Sequence, residues 1–275
     1  MSIKICLDAG HYGKYNRSPA NKSYYESEMN WKLHLLLRKY LIQYGFIVTQ
    51  TRTDQGSDMA LTTRGKKSKG CDLFLSIHSN AVGSDVNESI DYPVVYKPIS
   101  GAGSDIAEKL AKCMADVMET KQNGRTSSRR GENGDYYGVI RGATSVGVPG
   151  LILEHSFHTN TRATNWLLDE SNLDKMAQAE AKVLAEHYNI EQESEEVCNV
   201  EIKVLRKGMK CSEVKSLQIL LIGFGYSCGS SGADGSFGGA TEKAVRAYKE
   251  AKGLEKDSVV DSATWASLLG VTNGG

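Results

Sequence analysis

Four residues of this chain are of types that do hydrolytic chemistry together: His11, Glu26, His78 and Glu154. Two imidazoles and one carboxylate fill three corners of a zinc tetrahedron and leave the fourth for water, the arrangement of catalytic rather than closed structural sites. A single zinc ion so held lowers the pKa of its water and polarises a substrate carbonyl. A separate carboxylate must then take the water's proton and return it to the leaving nitrogen, worth roughly 10²–10⁴-fold in rate. Glu154 is the candidate for that role, because a carboxylate ending a buried strand is costly unless paired, protonated or used. Brought together in space, the four would hydrolyse an amide bond.

The elements that must position them are legible as patterns. Ile3-Lys4-Ile5-Cys6-Leu7 reads as a strand, and Asp8-Ala9-Gly10-His11-Tyr12-Gly13 breaks it with two glycines, so His11 sits in a loop just past a strand. Glu26 immediately precedes a helix whose buried face is Met29, Leu33, Leu36, Leu37, Tyr40, Leu41 and Tyr44, and Gly45 stops it. Phe46 to Thr49 is the next strand, Leu61 to Lys69 a short helix, and Leu73 to His78 a buried strand ending on a histidine. Gly150-Leu151-Ile152-Leu153-Glu154 is an apolar run that delivers one carboxylate at its far end. Strands alternating with helices imply an α/β fold, a mostly parallel twisted sheet with helices on both faces. Ligands gather at the carboxyl edge of such a sheet, and His11, His78 and Glu154 fall there by independent readings of three strands.

Other residues compete for these roles. Glu28 is an alternative to Glu26, and His155 and His158 are alternative ligands, although an extended continuation points His155 away from the Glu154 side of the sheet. His34 lies off the apolar stripe of its helix and reads as solvated, while His187 sits near a helix end, where a cation is favourable. Thr120 to Tyr137 is polar, punctuated by glycine and carries Arg125, Arg129 and Arg130, the profile of a mobile surface loop in which an arginine could grip a carboxylate.

At 275 residues the chain has room for one sizeable α/β domain, residues 1–190, and a smaller second one, residues 199–275. The acidic run Glu191 to Glu196 reads as part of a linker, residues 191–198. Beyond it, three short helices are marked by Val214, Leu217 and Leu221, by Ala244, Val245 and Tyr248, and by Trp265, Leu268 and Leu269. Ser212 is the expected cap of the first, and Asp261 or Ser262 of the third, so the second domain is a small all-α module. Lys and Arg number 33 and Asp and Glu 33, so nothing argues for nucleic acid or an anionic surface as partner. No stretch is long and apolar enough for membrane insertion. Met1-Ser2-Ile3-Lys4 runs straight into the first strand without a leader, which points to synthesis and folding in the cytoplasm. The six cysteines, at 6, 71, 113, 198, 211 and 228, lack the close pairs of zinc ribbons and read as buried thiols; a link between Cys211 and Cys228 is left open.

The residues also reach a family. Leu7-Asp8-Ala9-Gly10-His11, the spacing from Glu26 to Asn30 ahead of a helix, Ser76-Ile77-His78-Ser79-Asn80-Ala81, and Leu153-Glu154-His155-Ser156-Phe157-His158-Thr159-Asn160 resemble the zinc-dependent N-acetylmuramoyl-L-alanine amidases of the amidase-3 type, over about residues 1 to 190. The resemblance implies that His11, Glu26 and His78 bind zinc and that Glu154 is the catalytic carboxylate, with Glu26 favoured over Glu28 by the four-residue step to Asn30. It departs from the commoner pattern at Tyr12, where many relatives have glycine, and in the polar loop from His11 to Glu26. Residues 199 to 271 are similar to the type 1 peptidoglycan-binding domain through Lys207-Gly208, Leu217-Gln218, Gly225-Tyr226, Asp234-Gly235-Ser236-Phe237-Gly238, Thr241, Ala244-Val245 and Thr264-Trp265; Ser258 stands where relatives usually carry glycine. Together the resemblances imply a cell-wall hydrolase that cuts between N-acetylmuramic acid and L-alanine while the second domain holds bacterial peptidoglycan. A wall amidase without an export signal resembles a phage endolysin released at lysis, with an autolysin exported by another route as the alternative. A zinc peptidase of the stem or cross-bridge and a non-catalytic wall-binding protein are the competing functions.

Overall fold

The computed structural model describes residues 2–190 and 203–270. It divides into two compact units, Met1–Ser194 and Glu195–Gly275. The expected linker, residues 191–198, lies outside the described residues.

In the first unit the strands are β1 (Lys4–Ala9), β2 (Ile47–Gln50), β3 (Leu73–Asn80), β4 (Val94–Tyr96), β5 (Arg125–Ser127), β6 (Arg130–Gly131), β7 (Gly134–Asp135) and β8 (Gly150–Phe157). Between and after them run α1 (Glu26–Gln43), α2 (Leu61–Lys66), α3 (Ser104–Met118), α4 (Gly138–Thr144), α5 (Thr161–Leu168) and α6 (Glu170–His187). Six strands form one sheet in the order β2-β1-β3-β8-β4-β5. All neighbours are parallel except β8 and β4, so the sheet is mostly parallel, with the crossover helices such pairing requires.

Alternation along the strands sends side chains to two cores. Ile5, Leu7, Leu73, Leu75, Ile77, Leu151 and Leu153 pack with Leu33, Leu37 and Leu41 of α1, Leu110 and Met114 of α3, and Met176 and Leu184 of α6. On the other face Cys6, Phe74 and Ile152 pack with Val139, Ile140 and Ala143 of α4. There α2 and α4 approach closely: a Cβ on Gly142 would fall 2.3 Å from the Thr62 carbonyl oxygen, and one on Gly65 would fall 2.0 Å from that of Val139. Ile152 and Glu154 therefore share the α4 face, and Leu153 and His155 the α6 face.

Three expectations are corrected. The segment read as a mobile loop contains β5, which pairs with β4 at the sheet edge, and the β6–β7 hairpin. Arg125 lies 4.2 Å over the Tyr92 ring and Arg129 3.6 Å over Tyr136, so aromatic faces organise two of its three arginines. His34 is buried, not solvated. Its Nδ1 lies 2.8 Å from the Trp31 carbonyl and its Nε2 2.6 Å from Gln50 Nε2, so β2 supplies the partner that a helical wheel cannot show. His187 is half-buried in the last turn of α6, and burial together with nearby Lys109 holds its pKa below the ordinary value, against a cationic role.

The second unit holds α7 (Ser212–Gly223), α8 (Gly239–Ala251) and α9 (Ser262–Leu269) around Val214, Leu217, Leu221, Phe237, Val245, Tyr248, Trp265 and Leu268. Asp261 caps α9 by accepting from the Thr264 N–H at 2.8 Å. Ser212, by contrast, is the first residue of α7 and its hydroxyl bonds Glu213; Cys211 takes the cap position without a side-chain bond to the helix N–H groups. The buried Gln218 amide ties down the glycine-rich loop, donating to Asp234 and to the Ser236 carbonyl while accepting from the Gly235 N–H. At the turn where Ser258 replaces glycine, Asp257 pairs with buried Lys249 and accepts from the Val259 N–H at 3.0 Å. Cys211 and Cys228 are free thiols. Among the described residues no helix is long and apolar enough to cross a membrane.

Candidate active site

The carboxyl ends of β1 and β3 and the first turn of α1 meet at one point. The chain leaves β1 through Gly10, whose N–H bonds the Ile77 carbonyl at 2.9 Å, and turns at His11 with φ +58°. That left-handed conformation is uncommon for a residue with a side chain and marks a position held by its surroundings. Gly10 must be small there, since a Cβ would lie 2.2 Å from Cε1 of the His78 ring. Glu26 opens α1, and His78 is the sixth residue of β3.

One donor atom from each of His11, Glu26 and His78 lies within 4.8 Å of the other two. His78 Nδ1 is 2.9 Å from Glu26 Oε1, and His11 Nε2 is 3.3 Å from Oε2. A buried carboxylate flanked by two imidazole nitrogens is the donor set of a divalent metal that accepts nitrogen and oxygen, so the residues fit such an ion. Burial alone would raise the Glu26 pKa, but the hydrogen bonds and charge of the two histidines outweigh it and hold the group well below the usual carboxylate range. Burial depresses the His78 pKa, the direction that favours the neutral ring ligation requires.

Glu154 pairs in register with His78 across the β3–β8 ladder, on the same face of the sheet. Its Oε2 is enclosed and has no hydrogen-bond partner. Burial, reinforced by the charge of Glu26, pushes its pKa well above the ordinary value. Tyr96 and Tyr137, with ring centroids 4.6 Å apart, stand on the same side of the sheet, and the Tyr137 hydroxyl senses the Glu154 charge.

The competing residues separate from this cluster. His155 is on the opposite face, buried against Glu180 of α6. His158 is buried under Tyr24, its Nδ1 2.9 Å from Ser79 Oγ. Glu28 lies toward Lys14, 3.8 Å away. The polar loop from His11 to Glu26 also supplies a residue the sequence reading passed over. Asn16 Nδ2 lies 3.1 Å from His11 Nε2 and donates to Glu26 Oε2 at 2.6 Å. Its positive φ of 51° is a conformation that asparagine tolerates better than most residues, and no sequence pattern marked it. Asn30, one helical turn after Glu26, donates to the Gly10 carbonyl at 3.1 Å and thereby joins α1 to the His11 loop. Beneath the site Asp8 is fully buried and accepts from Thr51, Arg64 and Ser76, while Arg52 and Arg64 both donate to the Ala9 carbonyl.

Comparison with known proteins agrees with this geometry. The family described as N-acetylmuramoyl-L-alanine amidase matches residues 5–186, and a peptidoglycan-binding domain matches residues 211–268. The chain is 26% identical over 207 residues to the N-acetylmuramoyl-L-alanine amidase CwlM of Bacillus licheniformis, covering 74% of this chain and 76% of that protein. It is 25% identical over 197 residues to the endolysin of Bacillus phage SPP1, covering 70% and 69%. The catalytic domain of CwlV, an N-acetylmuramoyl-L-alanine amidase from Bacillus (Paenibacillus) polymyxa var. colistinus, superposes with a TM-score of 0.58 at 24% identity, over 69% of this chain and 99% of that one. An N-acetylmuramoyl-L-alanine amidase from Clostridium difficile 630 gives 0.59 at 19%, over 68% and 97%, so the fold is shared well beyond recognisable identity. With the family matched across two thirds of its length, the chain belongs to the N-acetylmuramoyl-L-alanine amidases.

Proposed function

We propose that this chain hydrolyses the amide between the lactyl group of N-acetylmuramic acid and the L-alanine of the stem peptide, using one zinc ion held by His11, Glu26 and His78 and a proton carrier at Glu154. The observation that carries the reading is the convergence of three donor atoms within 4.8 Å of one another, beside a carboxylate with an enclosed, unpartnered oxygen. When bound, the ion supplies Lewis acidity toward water and the scissile carbonyl.

The protein's own groups supply the rest. Glu26 brings a carboxylate between the two imidazoles, and Asn16 and the Ser79 N–H hold its two oxygens in place. Glu154 stands one strand away and makes none of these bonds, so its carboxylate is free to take a proton at one moment and return it to the leaving nitrogen at another. The raised pKa makes the group a better proton acceptor than an ordinary carboxylate, as a carrier requires. Tyr96 and Tyr137 stand on the same side of the sheet, their rings 4.6 Å apart. Peptidoglycan is the partner of the second unit as well, supported by its match to a peptidoglycan-binding domain.

Replacing Glu154 by Gln tests the assignment, because it preserves shape and removes the titrating oxygen. Metal content should match the parent, while turnover of purified muropeptides should fall by roughly 10²–10⁴-fold. Turnover equal to the parent's would remove Glu154 from the mechanism.

A further inference from the structure

A second pair of ionisable groups lies under the site, and the chemistry just described does not use it. His155 and Glu180 are both fully buried, with His155 Nε2 2.8 Å from Glu180 Oε1. Burying two such groups without return is expensive, and apolar residues of similar volume commonly do as well or better for stability. The second oxygen, Glu180 Oε2, is buried without any partner, so the pair is not optimised as a structural ion pair.

The other ring nitrogen supplies a reason for keeping it. His155 Nδ1 donates to the carbonyl oxygen of His78 at 3.0 Å. The N–H of that same peptide unit, on Ser79, donates to Glu26 Oε1 at 3.1 Å. One amide plane therefore runs from the buried pair on the α6 face to the carboxylate that also faces His78 Nδ1. The ladder between β3 and β8 is irregular here, its register shifting between His78 and Asn80, with Ser156 turned to φ +58° opposite. Where the regular ladder lapses, a side chain takes hold of the backbone. The tolerance is small, since the His78 ring fills the space that a Cβ on Gly10 would need.

We infer that His155, oriented by Glu180, is a positioning residue of the amidase site: it clamps the His78–Ser79 peptide and so fixes both the His78 ring and the Glu26 carboxylate toward the metal. Groups that orient ligands in this way typically contribute roughly 10–100-fold in metal affinity. The assignment rests on the zinc reading proposed above.

The test compares zinc affinity, by chelator competition on the full-length protein, with thermal melting of the metal-free form. The double variant His155→Leu/Glu180→Met removes both charges and leaves neither unpaired. Its metal-free melting should equal or exceed the parent's, while zinc affinity should fall roughly 10–100-fold. A second pair of variants keeps the test decisive if that one does not fold. His155→Asn/Glu180→Gln places an amide N–H where Nδ1 stands and should retain most of the affinity; His155→Gln/Glu180→Gln places it where Nε2 stands and should not. Equal affinity in parent and Leu/Met variant, or in the Asn and Gln variants, would overturn the clamp while leaving the zinc reading intact. A parent that takes up no divalent ion would overturn both.

Discussion

The smallest residue near the site sets its tightest tolerance. Gly10 lies one position before His11 and against the face of His78, where an added methyl would come within 2.2 Å of the ring. The neighbour that must move is a side chain proposed to hold the metal. Gly10→Ala is therefore expected to leave the fold intact and to lower metal affinity by roughly 10–100-fold, comparable to the loss of an orienting partner. Calorimetric titration of the metal-free variant checks this, and parent-like affinity would show that the ring has room to yield. At this scale the sequence was legible where a residue type states its own purpose. His11, Glu26, His78 and Glu154 could be picked because each stands beside an apolar run or a helix start in the sequence and each is chemically competent, although β3 and β8 continue past His78 and Glu154 to Asn80 and Phe157. Asn16 could not, because an asparagine in a polar loop has a dozen equivalent readings until the chain folds it back onto Glu26. His34 misled for the converse reason: besides the Trp31 carbonyl of its own helix, the partner that buries it is Gln50 of β2, which the helix pattern does not show.

At the level of elements, β8 does most of the positioning. It carries Glu154 to one face and His155 to the other, and the irregularity within it turns Ser156 toward Asp91. Asp91 is fully buried and joins β8 to α5, accepting from Ser156 Oγ at 2.8 Å and from Arg162 Nε at 2.7 Å. Burial by itself would raise the Asp91 carboxyl, but the hydrogen bonds from Arg162 and Ser156 and the guanidinium charge prevail and hold it below its ordinary value. A depressed pKa stabilises the fold fully above the unfolded value of about 3.9 and progressively less as pH falls through the lower folded one. Asp91→Asn should accordingly cost about 1–2 kcal/mol at pH 7, a figure discounted because Arg162 is partly exposed, and should flatten the decline in stability below pH 4. Urea unfolding at a series of pH values measures both effects, and an unchanged acid limb would assign that decline to other carboxylates. The parallel strands and α1 were legible because their apolar runs are long and their periods clear. β5 was not: three residues, Arg125 to Ser127, carry no hydrophobic alternation, and only pairing with β4 makes them a strand.

The molecule as a whole combines a hydrolytic unit with a second unit matched to a peptidoglycan-binding domain. Holding an enzyme on an insoluble substrate raises the local concentration of scissile bonds without altering any single catalytic event. A chain ending at residue 190 should thus cleave soluble muropeptides at the parent rate while losing up to roughly 10²-fold on intact cell walls. Rates measured side by side on the two substrates decide this, and an equal loss on both would mean that the second unit supports the catalytic unit itself. The three-helix module was readable from its apolar triplets because each helix buries one stripe in a shared core. Its buried polar groups were not, since Gln218 and Lys249 find their partners only through loops that close in three dimensions.

The central claim is that one metal, gripped by His11, Glu26 and His78, serves the cleavage of a single amide bond. Mass spectrometry of peptidoglycan digested by the purified, zinc-loaded protein tests it most directly, run with and without a chelator. The account predicts intact stem peptides bearing a free L-alanine amino terminus, absent when the chelator is present and restored by added zinc. Cleavage within the stem or cross-bridge, or amidase products that form equally well with the metal stripped away, would contradict it.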